Sequence, residues 1–169
     1  MTGAATPNVE LTVYGEAAAS DANVRFPFDL ALPAARDLWT LAESVRTSKT
    51  DLADAQATVE SWKGPHRDVF DTKVTTYGSS AESVASALEA LAEGIAAAWA
   101  AARGQQNRIN KARYVEHEKQ NEGARGWGIV EAFAGEVDYG PPPDNPSVPS
   151  SPGFAETGDP VRLHPEWGP

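Results

Sequence analysis

Glu60-Ser61-Trp62-Lys63-Gly64-Pro65 separates two long stretches in which hydrophobic residues recur with the spacing of helices. Glycine adopts the left-handed backbone conformation that commonly ends a helix. Proline is tolerated in the first turn of the next helix, because its missing N–H would have no partner there. Gly64-Pro65 therefore predicts the end of one helix and the start of another. The spacing alone favours a core position for Trp62 at the end of the first helix.

The first predicted helix starts near Pro33, since proline is favoured in a first helical turn. Its apolar residues are separated by alternating steps of three and four, which is the pattern of a coiled-coil seam. The members of this seam are Leu38, Leu41, Val45, Ser48, Leu52, Ala55, Val59 and Trp62. Charged residues occupy the opposite face and indicate an ordinary solvated surface.

The second predicted helix runs from Pro65 to Asn121 and continues the same rhythm. Its seam consists of Phe70, Val74, Tyr77, Ala81, Val84, Leu88, Leu91, Ile95, Ala98, Ala102 and Ile109. Trp99 lies one residue off this seam and is a second anchor, either in the core or at a partner surface. The pattern predicts an all-α fold in which residues 33–121 form a long antiparallel helical hairpin.

The segments before and after the hairpin differ from it in pattern. In residues 1–32, Val9 to Tyr14 and the trio Val24, Phe26 and Phe28 alternate apolar with polar residues. This predicts a short extended or β-hairpin segment that lies on a helix and covers part of Ala102 to Ile109. Residues 122–169 are rich in glycine, proline and serine, which predicts a disordered tail.

Composition excludes several classes of function. The net charge is −10, from 24 acidic and 14 basic residues, and this disfavours binding to nucleic acid or to an anionic membrane surface. The absence of cysteine excludes disulfides and thiolate metal sites. The start of the chain lacks the basic and apolar blocks of a secretory leader. No run of about 18 apolar residues is present, so we expect no membrane insertion.

Residues that could support catalysis are sparse. The three histidines, His66, His117 and His164, belong to no catalytic or metal-binding constellation. Phosphate loops, dinucleotide fingerprints and serine nucleophile elbows are missing as well. We therefore expect a non-enzymatic protein without cofactor or metal.

Two short motifs carry a family resemblance. The Trp62-x-Gly64 turn between two amphipathic helices resembles the WXG superfamily, the small helical hairpins exported by type VII secretion systems and the related amino-terminal domains of larger exported proteins. The similarity covers roughly Pro33 to Asn121. Tyr114-Val115-Glu116-His117-Glu118 resembles the Tyr-x-x-x-Asp/Glu export element that follows the second helix in that family. The resemblance implies that Tyr114 and Glu118 form an export signal read by the secretion ATPase, and that Trp62 and Gly64 shape the turn.

A two-helix hairpin cannot bury both sides of its apolar seam, so pairing with another WXG-like hairpin into an antiparallel four-helix bundle is expected. The predicted partner interface comprises Leu38, Leu41, Val45, Leu52, Val59, Phe70, Tyr77, Val84, Leu88, Leu91, Ile95 and Trp99. The sequence leaves a homodimer and a heterodimer open.

The resemblance implies a type VII secretion substrate or partner subunit, cytoplasmic before export and secreted by a leaderless route. The alternative is a cytoplasmic coiled-coil adaptor or scaffold whose proline-rich tail docks other proteins.

Overall fold

Two long helices dominate the fold. The computed structural model of the protein describes residues 17–125, 142 and 144–157. Helix α1 spans Phe28–Thr58 and helix α2 spans Pro65–Arg125, and the two pack together as a hairpin. The predicted helical hairpin is thus confirmed. With 31 and 61 residues and a rise of about 1.5 Å per residue, the helices are about 45 and 90 Å long.

Helix α1 begins one turn earlier than the sequence predicts. It starts at Phe28 after Pro27, whose carbonyl accepts the N–H groups of Leu30 and Ala31, and Pro33 lies inside the helix. An internal proline removes one backbone hydrogen bond. Ala31 and Leu32 are buried in this first part of the helix, and their burial offsets that loss.

The connection between the helices is longer than the sequence predicts. Helix α1 ends at Thr58, before Trp62, and the N–H groups of Glu60 and Trp62 bond to carbonyls three residues earlier. Gly64 then adopts a φ of 104°, in the left-handed region that favours glycine. Its carbonyl accepts the N–H of Arg67 at 2.9 Å as α2 begins at Pro65.

Contacts divide the chain into two units. In the described residues the hairpin unit comprises Pro27–Trp99 with Val148–Thr157, and the second unit comprises residues 17–26 with Ala100–Arg125, 142 and 144–147.

Alanine forms the centre of the hairpin unit. Near the turn, Gln56 Nε2 donates to Asp71 Oδ1 at 2.6 Å, which sets the antiparallel register of the helices. Two heptads farther from the turn, this register places Ala42 opposite Ala85. A third heptad places Ala35 opposite Ala92, and all four alanines have 0% exposure. Small side chains let the two helices approach closely, so the hairpin seam is an alanine seam.

The amino-terminal segment of the second unit is not a β-hairpin where it is described. Residues 22–27 contain no strand, so they form no β-hairpin, and Phe28 belongs to α1 rather than to an extended segment. The N–H of Val24 donates to Gln106 Oε1 at 2.8 Å instead of pairing with a neighbouring strand. This contact does confirm that the segment lies on the predicted stretch of α2. Val9 to Tyr14 lie outside the described residues.

Part of the proline-rich tail packs against the hairpin. Phe154 has 0% exposure, and its ring centroid lies 5.8 Å from that of Trp39 in an edge-to-face arrangement. The N–H of Phe154 donates to the carbonyl of Ser150 at 2.9 Å. The predicted disorder is therefore wrong for residues 148–157, because a buried aromatic side chain fixes them. Residues 126–141 and 158–169 lie outside the part of the chain that the structure describes.

Candidate partner surface and export element

Bulky apolar side chains flank the alanine seam instead of filling it. We call this set the apolar stripe; it consists of Leu38, Leu41, Val45, Leu52 and Val59 on α1 and Phe70, Tyr77, Val84, Leu88, Leu91 and Ile95 on α2. Leu41, Val84 and Leu91 are about half exposed, at 51%, 50% and 50%, and Tyr77 is exposed as well. The other seven side chains are half-buried. The sequence therefore identified a real apolar pattern, but the structure places it beside the core.

The stripes of the two helices lie on the same side of the hairpin. Leu41 immediately precedes buried Ala42, and Val84 immediately precedes buried Ala85. One residue corresponds to a rotation of about 100° around a helix. The rotation has the same sense on both helices, and because the helices are antiparallel, it turns both stripes towards the same side. The two stripes together form one continuous apolar face.

Trp99 does not belong to this face. It is 2% exposed, so it fills the core of the hairpin unit. The prediction of Trp99 as a partner-interface residue is corrected accordingly. Its position one residue off the seam explains the result, since that step rotates the side chain from the stripe towards the alanine seam.

Ion pairs cover the flank of the hairpin opposite the apolar stripe, which we call the closed flank. Arg46 follows Val45 by one residue and donates to both carboxylate oxygens of Glu89, at 2.8 Å for Nη2–Oε2. Arg46 Nε also donates to Glu82 Oε1 at 3.2 Å, and Lys49 Nζ donates to Glu82 Oε2 at 2.9 Å. These cross-helix pairs fix the register of α1 against α2.

The same pairs change the acid–base behaviour of the flank. The hydrogen bond from Arg46 lowers the pKa of Glu89, whereas hydrogen bonds from Lys49 and then Arg46 lower the pKa of Glu82. Near the turn, hydrogen bonds from Arg67 and then Gln56 lower the pKa of the Asp71 carboxyl. The folded protein therefore binds fewer protons at these groups than the unfolded chain in the acidic range. Folding is favoured by this difference at neutral pH and loses the contribution as the pH falls through the folded-state pKa values.

The tail packs on that closed flank too. Trp39, which contacts Phe154, lies one heptad before Arg46 and therefore on the same side of α1. One flank of the hairpin is thus covered by the ion pairs and by residues 148–157. The apolar stripe lies on the other flank.

The turn residues of the WXG-like motif differ in their surroundings. Trp62 lies after the end of α1 and is 60% exposed, so its interpretation as a core residue is wrong. The physical reason is that α1 stops at Thr58 and the chain leaves the seam before position 62. Gly64 occupies the left-handed conformation that the turn requires.

The predicted export residues lie on one face of an intact helix. Tyr114 and Glu118 are four residues apart within α2 and both side chains are half-buried. The neighbouring Arg113 fastens the amino-terminal segment, since its guanidinium donates to the carbonyls of Ala19 at 3.2 Å and Asp21 at 2.6 Å. The helix that carries the Tyr-x-x-x-Glu pair is thereby tied to residues 19–21.

Buried polar side chains support the same segment. Gln106, at 0% exposure, accepts from the N–H of Val24 and donates to Asn23 Oδ1 at 3.0 Å and to Asn110 Oδ1 at 2.9 Å. Sequence reasoning missed this cluster. The signal present was a run of amides, Gln105 to Asn107 followed by Asn110, in the middle of an apolar periodicity.

Within the described residues, no group of three or more His, Asp or Glu side chains could hold a metal ion. Among these residues, α2 is long and apolar enough to cross a membrane by length and composition, with a mean hydropathy of 1.3 over its most apolar 18-residue window. These criteria are weak evidence, because the helices of water-soluble bundles also meet them. The absence of membrane insertion stays a prediction.

Comparisons with protein-family models, curated proteins and solved structures give no match for this chain.

Proposed function

We propose that this protein is a non-enzymatic, WXG-like helical hairpin that acts as a substrate or partner subunit of a type VII secretion system. The observation that carries the proposal is the apolar stripe, four of whose side chains, Leu41, Tyr77, Val84 and Leu91, are exposed on the flank of the hairpin opposite the ion pairs. A left-handed Gly64 after Trp62, and Tyr114 and Glu118 on one continuous helix, support the same assignment.

The stripe supports a role in pairing because its exposure is energetically unfavourable. Full burial of a Val or Leu side chain contributes about 1.5–3 kcal/mol. Leu41, Tyr77, Val84 and Leu91 are each about half exposed, so covering these four would contribute roughly 3–6 kcal/mol per hairpin. Large uncovered apolar faces of this kind mark protein–protein contacts. A second hairpin provides a surface of matching shape and forms a four-helix bundle.

Recognition is the proposed mechanism. The paired bundle presents Tyr114 and Glu118 on α2, and the secretion ATPase reads this surface before the complex leaves the cell. In this proposal the protein is cytoplasmic before export.

The adaptor alternative requires a tail that is free to dock other proteins. Phe154 is fully buried in the chain's own structure, so residues 148–157 do not present it as a docking element. This observation weakens the adaptor alternative for residues 148–157, the part of the tail that the structure describes continuously up to its end at Thr157.

An export assay in a cell that carries the secretion system tests the proposal. We expect the double variant Tyr114→Ala/Glu118→Ala to accumulate inside the cell, whereas Glu116→Ala is exported like the wild type. Glu116 is the matched control because it lies in the same helical turn but is exposed on a different face. Circular dichroism verifies that each variant keeps its helix content. Export of the double variant at the wild-type level would contradict the proposed signal.

A further inference from the structure

The second half of α2 carries a concentration of positive charge in an otherwise acidic chain. Between Gly94 and Val115 the helix contains four basic residues and no acidic residue, although the whole chain has a net charge of −10. The four are Arg103, Arg108, Lys111 and Arg113. A local excess of this kind attracts negatively charged groups even when the net charge of the chain is negative.

Two of these cations line an open groove within the second unit. The groove lies between residues 17–19 and α2 and has a volume of about 1060 Å³; we call it the basic groove. Arg108 and Lys111 line it together with Ala112 and Val115, which is 45% exposed. Steps of three and four residues place Arg108, Lys111 and Val115 on one side of the helix. The groove thus combines two cations with an apolar floor.

The positive charge of both side chains remains available to a ligand. Arg108 is exposed, and its Nε donates to Gln105 Oε1 at 3.0 Å, which is a neutral amide oxygen. Lys111 Nζ lies 3.5 Å from Asp144 Oδ1, but the two side chains are 58% and 98% exposed. An ion pair with this exposure contributes little to stability because water screens it. Another carboxylate can therefore replace that of Asp144 at little cost.

The chain itself shows how an acidic segment meets this side of α2. The carbonyl of Asp144 accepts from Asn107 Nδ2 at 3.2 Å, while its carboxylate lies near Lys111. Asn145 passes so close to Gly104 that a Cβ on the glycine would lie 3.3 Å from the Asn145 Cγ. A non-helical segment that carries a carboxylate thus fits against this stretch of the helix.

We propose that the basic groove binds an acidic peptide segment of a partner protein, with its carboxylates at Arg108 and Lys111 and an aliphatic side chain on Val115. The geometry of the helix sets the spacing of these groups. Arg108 and Val115 are about 10 Å apart along α2, a distance that an extended peptide covers in about three residues. Asp144 occupies part of this site in the free chain, and the ligand displaces its carboxylate. The inference goes beyond the proposed function, since neither pairing nor export uses Arg108 or Lys111.

The charges of the groove favour a peptide over a nucleic acid. A nucleic-acid backbone carries evenly spaced negative charges. Glu116 lines the groove beyond Val115 and is exposed, so a continuous polyanion would meet a like charge there. A peptide can place its acidic residues at one end and an apolar residue at the other, and so matches both the cations and the floor.

Fluorescence polarisation with synthetic peptides and the full chain tests the proposal. The probe is a capped, fluorescein-labelled peptide with two aspartates and a leucine three residues after them, and its control has asparagines in place of the aspartates. We expect the aspartate probe to bind about tenfold more tightly at low salt, since the control lacks both charge contacts. Exchange of the leucine for serine should weaken binding about fivefold, because the apolar contact is lost. Asp144→Asn should tighten binding about threefold, because it removes the internal competitor.

Charge reversal separates a role in binding from a role in folding. The variant Arg108→Glu/Lys111→Glu should lose the aspartate probe and bind a probe with lysines in place of the aspartates, about as tightly as the wild type binds the original. A misfolded chain would gain no such preference. Arg36→Glu/Lys73→Glu is the matched control, since it makes the same change in net charge at exposed positions outside the groove. It should keep the preference of the wild type.

Three results would overturn the proposal. The first is equal affinity of the wild type for the aspartate and asparagine probes, and the second is an unchanged preference in Arg108→Glu/Lys111→Glu. The third is tighter binding of a DNA oligonucleotide of equal charge than of the aspartate probe, which would assign the groove to nucleic acid. None of them bears on the export assay of Tyr114 and Glu118, so a failure of this inference is distinguishable from a failure of the proposed function.

Discussion

Alanine substitutions at Gly64 and Gly94 make the same chemical change but should alter stability in opposite directions. Gly64 has a φ of 104°, which L-amino acids rarely adopt, whereas Gly94 lies inside α2. An added Cβ at either position would meet no heavy atom within 4 Å. Neither substitution produces a steric clash with surrounding residues, so backbone conformation determines the difference.

The magnitudes follow from that conformation. An L-residue in the left-handed region costs about 1–2 kcal/mol relative to glycine, so Gly64→Ala should lower the free energy of unfolding by that amount. Alanine in a helix interior is about 1 kcal/mol better than glycine, so Gly94→Ala should raise it. The two variants should differ by roughly 2–3 kcal/mol, or about 4–12 °C in melting temperature for a chain of this size.

Thermal unfolding followed by circular dichroism at 222 nm measures the difference, at one protein concentration because self-association stabilises the folded state. The double variant serves as a control, since the sites lie far apart along the chain and their effects should add. A Gly64→Ala variant as stable as the wild type would refute the assigned turn conformation. A destabilised Gly94→Ala variant would refute the uninterrupted α2.

Three further predictions concern the closed flank and the seam. Arg46→Gln removes the hydrogen bonds that lower two carboxyl pKa values, so its stability should fall less steeply than that of the wild type as the pH drops from about 5 to 3 in urea titrations. Phe154→Ala deletes a fully buried ring, a change that typically costs about 3–5 kcal/mol, and should release residues 148–157 to proteolysis, whereas Val148→Ala at an exposed position should not. Ala85→Leu should force the helices apart and lower the unfolding free energy by about 1–3 kcal/mol, whereas Ala90→Leu at an exposed position should change it little. An unchanged urea midpoint for Ala85→Leu would contradict the alanine seam.

Apolar periodicity was enough to predict the two helices and the turn at Gly64, because both signals are local. Leu41 and Val84 were correctly recognised as members of an apolar pattern. The pattern did not reveal that Ala42 and Ala85, one residue later in each case, form the seam. Which of two adjacent apolar rows becomes the core depends on how closely the helices approach, and this is a tertiary property.

Contacts between distant parts of the chain explain the other differences. The N–H of Val24 is satisfied by Gln106, 82 residues away, so no partner strand is needed. Phe154 belongs to a segment whose composition is typical of disorder, yet its side chain is fully buried and its ring contacts that of Trp39. Proline-rich composition describes local chain preferences and carries no information about such a distant site.

Export of a Val84→Asp variant tests the central claim most directly, namely that pairing through the apolar stripe precedes secretion. Val84 is half exposed, so an aspartate there should prevent pairing while leaving the single hairpin folded. Ala90→Asp places the same charge on an exposed position of α2 that lies off the stripe. We predict that Val84→Asp stays in the cell and that Ala90→Asp appears in the culture medium like the wild type. Secretion of a folded, monomeric Val84→Asp variant at the wild-type level would contradict the account.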